Sequence, residues 1–278
     1  MKILCVVVLF KPNIESLGDK LTLLQNNVDK VMLWDNTPGG IGRKKISGID
    51  VLGNGENIGL SKAYNTAWNF ARTLDFDHLM LMDQDTKWCG LPIYVSQIRH
   101  HNNMCHEKCI YFASTKDGNK VPFTKVTHGC VNSGTIIPIC LLDRINGFHE
   151  DFFVDAIDDW LMLKATKEGY TCYMVGNSHI VQKYGNPSLV KFLGYTFTTR
   201  NYSPMRLYGI MRNYIILWKE FRIPNDMKKK IIVDFCLIPF IKIIIGEPLK
   251  ILKLKAMCYG IIDGVSNNPS RINLFMRN

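Results

Sequence analysis

The chain has 278 residues, of which 47% are hydrophobic and 21% charged, with a formal charge of +10 at pH 7 and a sequence pI near 9.1. That length and apolar content suffice for one large core, or for a domain with an appendage, and point away from a disordered chain or a small disulfide-stapled scaffold. The positive balance suits a polyanionic partner, whether a nucleotide phosphate, nucleic acid or an anionic bilayer.

In chain order, the apolar run 3–10 ends at Lys11-Pro12 without a small-residue cleavage site, so it reads as a buried first strand and not as a leader. Leu17, Leu21 and Leu24 recur at helical spacing and predict a helix with one apolar face. Further strands are predicted at 30–35, 49–53, 78–82, 110–113, 134–137 and 173–175, and further helices at 59–74 and 156–168, the last stopped by Gly169. Alternation of this kind predicts an α/β fold, a sheet with helices on its faces, over residues 1–200. Residues 201–278 read as a basic amphipathic helical region. From residue 183 onward there are 16 Lys and Arg against 5 Asp and Glu. The segment 228–255 carries aliphatic patches bracketed by lysines, which suits helices lying on an anionic bilayer or capping a core, with Pro239 kinking or breaking them. No apolar run reaches the roughly 18 residues of a spanning helix. The stretch 231–245 is interrupted by Asp234, Pro239 and Lys242. Nine cysteines at scattered spacings with no C-x-x-C predict reduced thiols and a cytoplasmic chain.

Two acidic groups carry the chemistry. The predicted strand 78–82 runs directly into Asp83-Gln84-Asp85. Ligands of open α/β sheets gather at the carboxyl ends of strands, and two adjacent carboxylates call for a cation between them. Mg²⁺ or Mn²⁺ shared with a diphosphate meets that need. The second group, Glu150, Asp151, Asp155, Asp158 and Asp159, leads into the helix 156–168. Helix-dipole stabilisation accounts for one or two acids there and not for five. A carboxylate at such a helix start can act as general base towards a hydroxyl, and Asp159 is placed ahead of Asp158 in that role. The stretch His100, His101, Cys105, His106 and Cys109 has zinc-type ligands without the usual paired spacing, and reads as a polar loop after a helix.

The order of motifs resembles glycosyltransferase family 2, and within it the bacterial rhamnosyltransferase-like group with a GT-A fold. The matching pieces are Val6 to Phe10 with Pro12, Asp35-Asn36, Asn57-Ile58-Gly59 with Ala63-Tyr64-Asn65, Asp83-Gln84-Asp85, Asn132-Ser133-Gly134 and Asp158-Asp159-Trp160. Tyr202-Ser203-Pro204-Met205-Arg206-Leu207-Tyr208 with Arg212-Asn213 resembles that group's C-terminal signature.

The resemblance implies a GT-A mixed sheet with helices on both faces and a C-terminal helical appendage. It implies that Phe10, Pro12, Asp35, Asn57, Gly59, Asn65, Asp83 and Asp85 bind a nucleotide-sugar donor, with free N–H groups of the helix after Gly59 near the nucleotide. Asp85 and Asp83 would hold the divalent metal, and Gln182 stands where the family often has a metal-binding histidine. Asp155 and Trp160 would lie on the acceptor side. The implied reaction is an inverting hexosyl transfer, favouring rhamnose from a dTDP donor, with galactofuranose, galactose or glucose from UDP donors open. The acceptor would be a glycan or lipid-linked oligosaccharide of a bacterial surface polysaccharide, at the inner face of the cell membrane. A non-catalytic nucleotide-sugar or glycan-binding module of the same fold is the alternative. A dinucleotide oxidoreductase is disfavoured because no G-x-G-x-x-G follows the first strand, and nucleic-acid binding fits the lysine-bracketed aliphatic patches less well.

Overall fold

The computed structural model describes residues 1–42, 44–105, 107–182, 185, 187–192, 194–268 and 270–275. Two compact units form, Met1–Phe153 with Ile157–Gln182, and Val154–Ala156 with Lys183–Asn278.

The first unit is built on a nine-stranded sheet of order β3-β4-β2-β1-β5-β9-β7-β10-β8. Its centre is β1 (Ile3–Leu9), every residue of which is buried, as a strand covered on both faces requires. Parallel partners flank it, β2 (Lys30–Asp35) and β5 (His78–Asp83). The register sets Asp35 opposite Leu9 on one side and Asp83 opposite Val8 on the other, so both acids emerge at the same end of the sheet. Beyond β2 lie β4 (Ile49–Leu52), parallel, and β3 (Lys45–Ile46), antiparallel. Beyond β5, β9 (Ile136–Pro138) runs antiparallel to both β5 and β7 (Cys109–Ala113), which therefore run the same way. The far edge adds β10 (Thr171–Val175), parallel, and β8 (Phe123–Lys125), antiparallel. A separate two-stranded ribbon pairs β6 (Lys87–Cys89) with β11 (His179–Val181).

Five helices connect these strands: α1 (Gly18–Gln25), α2 (Leu60–Thr73), α3 (Leu91–Met104), α4 (Ile139–Ile145) and α5 (Ile157–Lys167). Leu21 and Leu24 of α1 are buried in the core with β1 and β2, as their spacing predicts. One expectation is corrected. The stretch from His100 is not a loop, because α3 continues through His101 to Met104, while His106 lies outside the described residues.

The second unit opens with a hairpin of β12 (Ser188–Phe192) and β13 (Tyr195–Thr199). Helix α6 (Pro204–Glu220) follows, started by the Ser203 hydroxyl accepting the Arg206 N–H and by Pro204 in the first turn. Then come α7 (Asn225–Ile231), a π-helical segment (Ile232–Leu237), α8 (Ile238–Ile245) and α9 (Lys250–Ser266). Pro239 does not break the helix here. Its ring crowds the carbonyl four residues earlier and it offers no N–H, and the wider π turn just before it absorbs both defects. Among the described residues no helix is long and apolar enough to cross a membrane.

Candidate active site

The carboxyl ends of β1, β2 and β5 gather the donor-side residues. Reciprocal bonds join the backbone of Phe10 to the Gln84 side chain: the Phe10 N–H donates to Oε1 at 2.8 Å, and Nε2 donates to the Phe10 carbonyl at 2.8 Å. The end of β1 is thereby tied to the turn between the two acids, leaving the Phe10 ring 43% exposed and Pro12 half-buried. Asp35 is buried, and its oxygens accept the N–H groups of Thr37 (2.9 Å) and Ile41 (2.8 Å), which closes the loop after β2. Beside it, buried Asn36 accepts the Ile58 N–H at 3.1 Å and donates to the Gly59 carbonyl at 3.2 Å. The Asn57 side chain accepts the Gly59 N–H at 3.2 Å. Gly59 has φ +81°, and a Cβ there would come within 2.7 Å of the Phe153 ring, so only glycine allows this approach.

Asp83 ends β5, its N–H donated to the Ser133 hydroxyl at 3.0 Å, and that hydroxyl contacts Thr86 Oγ1 at 2.7 Å. Asp85 is exposed and accepts no hydrogen bond from the described residues. Lys20 of α1 faces this turn, and its ammonium donates to the Gln84 carbonyl. Burial lowers the Lys20 pKa, while Asp85 and then Asp83 oppose that shift, so the lysine sits in the field of both acids. Sequence reasoning missed it, since nothing local distinguishes one lysine in an amphipathic helix.

The second acidic group opens α5. Asp158 and Asp159 stand in its first turn, where the helix dipole favours negative charge, and the Asp159 N–H donates to Asp158 Oδ1 at 3.0 Å. Asp159 is buried at 9% exposure and Asp158 is half-buried. Tyr64 of α2 relates this group to the first. It is fully buried and its hydroxyl has no hydrogen-bond partner among the described residues. Burial pushes that hydroxyl well above the usual phenol range, and the charges of Asp83 and Asp158 push it the same way. A carboxylate from each acidic group thus lies within electrostatic reach of one buried hydroxyl.

No protein-family model matches the chain, and no curated protein matches it by sequence. Solved structures do. A fragment of TarS from S. aureus in complex with UDP-GlcNAc aligns over 99% of this chain and 84% of its own, with TM-score 0.57 and 14% identity. The same fragment with UDP gives TM-score 0.54 at 15% identity over 99% and 83% of the two chains. GalNAc-T7, solved with UDP, GalNAc and Mn²⁺, aligns over 97% of this chain and 58% of its own, with TM-score 0.54 and 10% identity. The chain has the GT-A fold.

Within the GT-A frame several residues act differently from their sequence-level expectation. Asn65 is not available to a donor. Its Nδ2 donates to the Phe148 carbonyl (3.0 Å) and to Glu150 Oε1 (3.3 Å), while its Oδ1 accepts the Phe148 N–H (2.7 Å). It clamps the loop before the second acidic group onto α2, a non-local role that no motif spacing reveals. The start of α2 offers fewer N–H groups than expected, because that of Gly59 goes to Asn57 and that of Leu60 to the Phe153 carbonyl at 2.7 Å.

Gln182 follows β11 and is brought alongside the Asp83 turn by the ribbon with β6. Its Nε2 donates to Asp83 Oδ2 and to Thr86 Oγ1, both at 2.9 Å. An ionised carboxylate only accepts, so the nitrogen and not the carbonyl oxygen must face Asp83. In this arrangement Gln182 is a hydrogen-bond donor to Asp83 and Thr86, and its carbonyl oxygen is not the atom turned to the acid. The fit of a hard divalent ion therefore rests on Asp83 and Asp85 alone, and two carboxylates suffice for an ion that completes its shell with phosphate and water.

Trp160 is 3% exposed and meets the His149 ring edge-on at 6.0 Å, so it is core packing and offers no open face to an acceptor. Asp155 belongs to the second unit, where Arg206 grips it with Nε at 2.9 Å and Nη2 at 2.7 Å. Asn213 donates to the carbonyls of Val154 (2.9 Å) and Asp155 (3.0 Å). Asp155 and Ala156 both have φ +62°, a left-handed conformation unfavourable for residues with a Cβ. The C-terminal signature residues Arg206 and Asn213 thus hold a strained turn at Asp155 and Ala156. Strain maintained in this way is characteristic of functional positions.

Proposed function

We propose that the chain is a glycosyltransferase that moves a sugar from a nucleotide donor to an acceptor hydroxyl with inversion at the anomeric carbon. The observation that carries this reading is the placement, in a chain of GT-A fold, of Asp83 at the carboxyl end of β5 and of Asp158 in the first turn of α5. A donor-side acid at a strand end and a candidate base at a helix start are the two groups such a transfer requires.

In this mechanism Asp158 takes the proton of the acceptor hydroxyl, whose oxygen bonds to the anomeric carbon from the face opposite the diphosphate. The bond from that carbon to the diphosphate breaks, and its electron pair leaves with the nucleotide. Asp158 is preferred here to Asp159, because it is the less buried of the two. Asp83 and Asp85 would hold Mg²⁺ or Mn²⁺, which when bound would neutralise charge on the departing diphosphate. The Lys20 ammonium adds a fixed positive charge at the same turn. Asp35, Asn36 and Asn57 fix the backbone against which base and ribose are read.

The donor assigned is a dTDP- or UDP-sugar, with rhamnose favoured on the motif resemblance and galactofuranose, galactose and glucose as competitors. The acceptor is a glycan or lipid-linked oligosaccharide of a bacterial surface polysaccharide such as lipopolysaccharide or capsule. Support for a lipid-linked acceptor comes from the second unit. Leu237, Phe240, Ile241, Ile244 and Ile251 are between 44% and 76% exposed, beside the exposed lysines 228, 229, 230 and 250. Apolar side chains among lysines suit peripheral attachment to the anionic inner face of the cell membrane.

Mass spectrometry of a nucleotide-sugar library with Mg²⁺ or Mn²⁺ tests the activity and identifies the donor. The expected result is consumption of one donor, lowered at least about 100-fold by Asp158→Asn and by Asp85→Ala, with nucleotide binding retained in Asp158→Asn. Undiminished turnover in Asp158→Asn would overturn the assignment of the base. A binding module without turnover is the second reading, favoured by Gln182 donating to Asp83 where a cation ligand would be needed. Donor bound but never consumed by the unaltered chain is its signature.

A further inference from the structure

The end of α3 and the start of β7 bring together three side chains that the transfer reaction does not use. His101, Cys105 and Cys109 follow one another at intervals of four residues. The first two lie one helical turn apart, and the Cys105 N–H still bonds to the His101 carbonyl at 2.8 Å as the chain leaves the helix with φ −90° and ψ 127°. The chain then turns back, and Cys109, first residue of β7, places its sulfur 3.9 Å from that of Cys105. One ligand atom from each residue lies within 4.8 Å of the other two.

We propose that His101, Cys105 and Cys109 form a binding site for a thiophilic divalent cation of the Zn²⁺ class. The geometry suits that ion. Zinc–thiolate bonds of about 2.3 Å at a tetrahedral angle separate two sulfurs by about 3.8 Å, close to the spacing found here. Two sulfurs and an imidazole select zinc over the hard ions that suit carboxylates. The imidazole is already oriented. Its Nδ1 is 3.0 Å from the Tyr111 hydroxyl, and its ring lies 4.2 Å from Phe123 and 5.1 Å from Tyr173. An ordered partner of this kind around a ligating histidine raises metal affinity. Glu107 is otherwise engaged, its carboxylate accepting from Thr171 (3.1 Å) and Tyr173 (3.2 Å), so among the described residues the set is one nitrogen and two sulfurs, with a fourth position left for a further ligand such as water. On binding, both thiols lose their protons to solvent and the Cys109 S–H gives up its bond to the Glu107 carbonyl.

This site is separate from the acid pair. Cys109 stands at the amino end of β7 and Asp83 at the carboxyl end of β5, and the two strands run in the same direction. The ion would join the last turn of α3 to the sheet at the end away from the proposed transfer chemistry, which makes it a structural or regulatory site.

Titration of the full chain with Co²⁺, thiols kept reduced by a phosphine, tests the proposal. Expected are one saturating thiolate-to-cobalt charge-transfer band and the intense visible bands of a four-coordinate ion, both displaced by Zn²⁺. Cys105→Ser and His101→Ala each raise the Co²⁺ dissociation constant at least about tenfold, and Cys105→Ser combined with Cys109→Ser abolishes the bands. Asp85→Ala leaves them intact, which separates this site from any cation at the acid pair. Circular dichroism verifies that each variant is folded, and Cys105→Ser, a one-atom change at a half-buried position, preserves the test should the double variant unfold. Absence of the charge-transfer band in the unaltered chain, or its persistence in a folded double-serine variant, overturns the proposal.

Discussion

Asp83 faces competing donors. One of its oxygens accepts from Gln182 Nε2, and Lys20 stands in the same field, so much of the charge compensation that a cation would bring is already supplied by the protein. Gln182→His exchanges that neutral amide for an imidazole able to share an ion with Asp83. If the acid pair is a divalent site, the substitution tightens Mn²⁺ binding by about tenfold, read by electron paramagnetic resonance titration of free Mn²⁺. Unchanged Mn²⁺ affinity would remove Asp83 from the cation site. The acid pair itself was legible in the sequence, because two carboxylates set directly at the end of an apolar run repel each other and call for a positive partner. The bonds of Lys20, Asn65 and Gln182 were not, although the motif resemblance singles out the last two, since each acts across 60 or more residues of chain: Lys20 on Gln84, Asn65 on Phe148 and Gln182 on Asp83. The His101, Cys105 and Cys109 set reads in the sequence as a polar loop for a related reason. Its spacing matches no paired motif, and only the reversal of the chain into β7 brings the third ligand back.

At the level of elements, sequence legibility followed burial. The central strands β1, β2, β5 and β7 are uninterrupted apolar runs because both of their faces are covered. The pieces β3, β6, β8 and β11 have only two or three residues each, too few to show a local period, and β6, β8 and β11 also pair with partners far along the chain. The crossing of α6 and α9 was equally hidden. A Cβ on Gly260 would lie 2.5 Å from the Tyr208 carbonyl oxygen, and one on Gly264 would lie 2.9 Å from that of Arg212. Alanine would gain about 1 kcal/mol in helix propensity at either position. The atoms it would strike are backbone, which cannot rotate away, so crowding outweighs propensity. Gly260→Ala is expected to destabilise the second unit by about 1–3 kcal/mol, measured as a lower urea midpoint. An increase in stability would mean that the two helices separate at little cost. Near this crossing, Asp263 accepts from Tyr208 Oη at 2.8 Å and is held by Arg271, so α9 is integral to the unit. Cutting the chain after α6 would therefore disrupt the fold and not merely release a tail.

For the molecule as a whole, the proposed membrane contact is better tested by point substitution than by truncation. Phe240→Glu with Ile241→Glu replaces two side chains that are 44% and 51% exposed and keeps α9 in the chain. Burying two such side chains in a bilayer interface contributes about 1.5–3 kcal/mol each, so the double variant should lose at least about two orders of magnitude in partitioning to anionic vesicles. Sedimentation with vesicles at low and high salt measures this. Equal sedimentation of the variant and the unaltered chain would assign the exposed apolar side chains to something other than lipid. Which side chains face outward depends in turn on the wide turn at Ile232–Leu237. A π turn amounts to a residue inserted into an α-helix, and each residue advances the azimuth by about 100°. The wider turn winds less per residue and so takes up that extra residue, leaving Phe240 and Ile241 on the side that an α-helix one residue shorter would give them. The direction of that greasy stripe is thus buffered against a change in residue count, because a residue that ordinary winding would convert into a rotation is absorbed by the π turn.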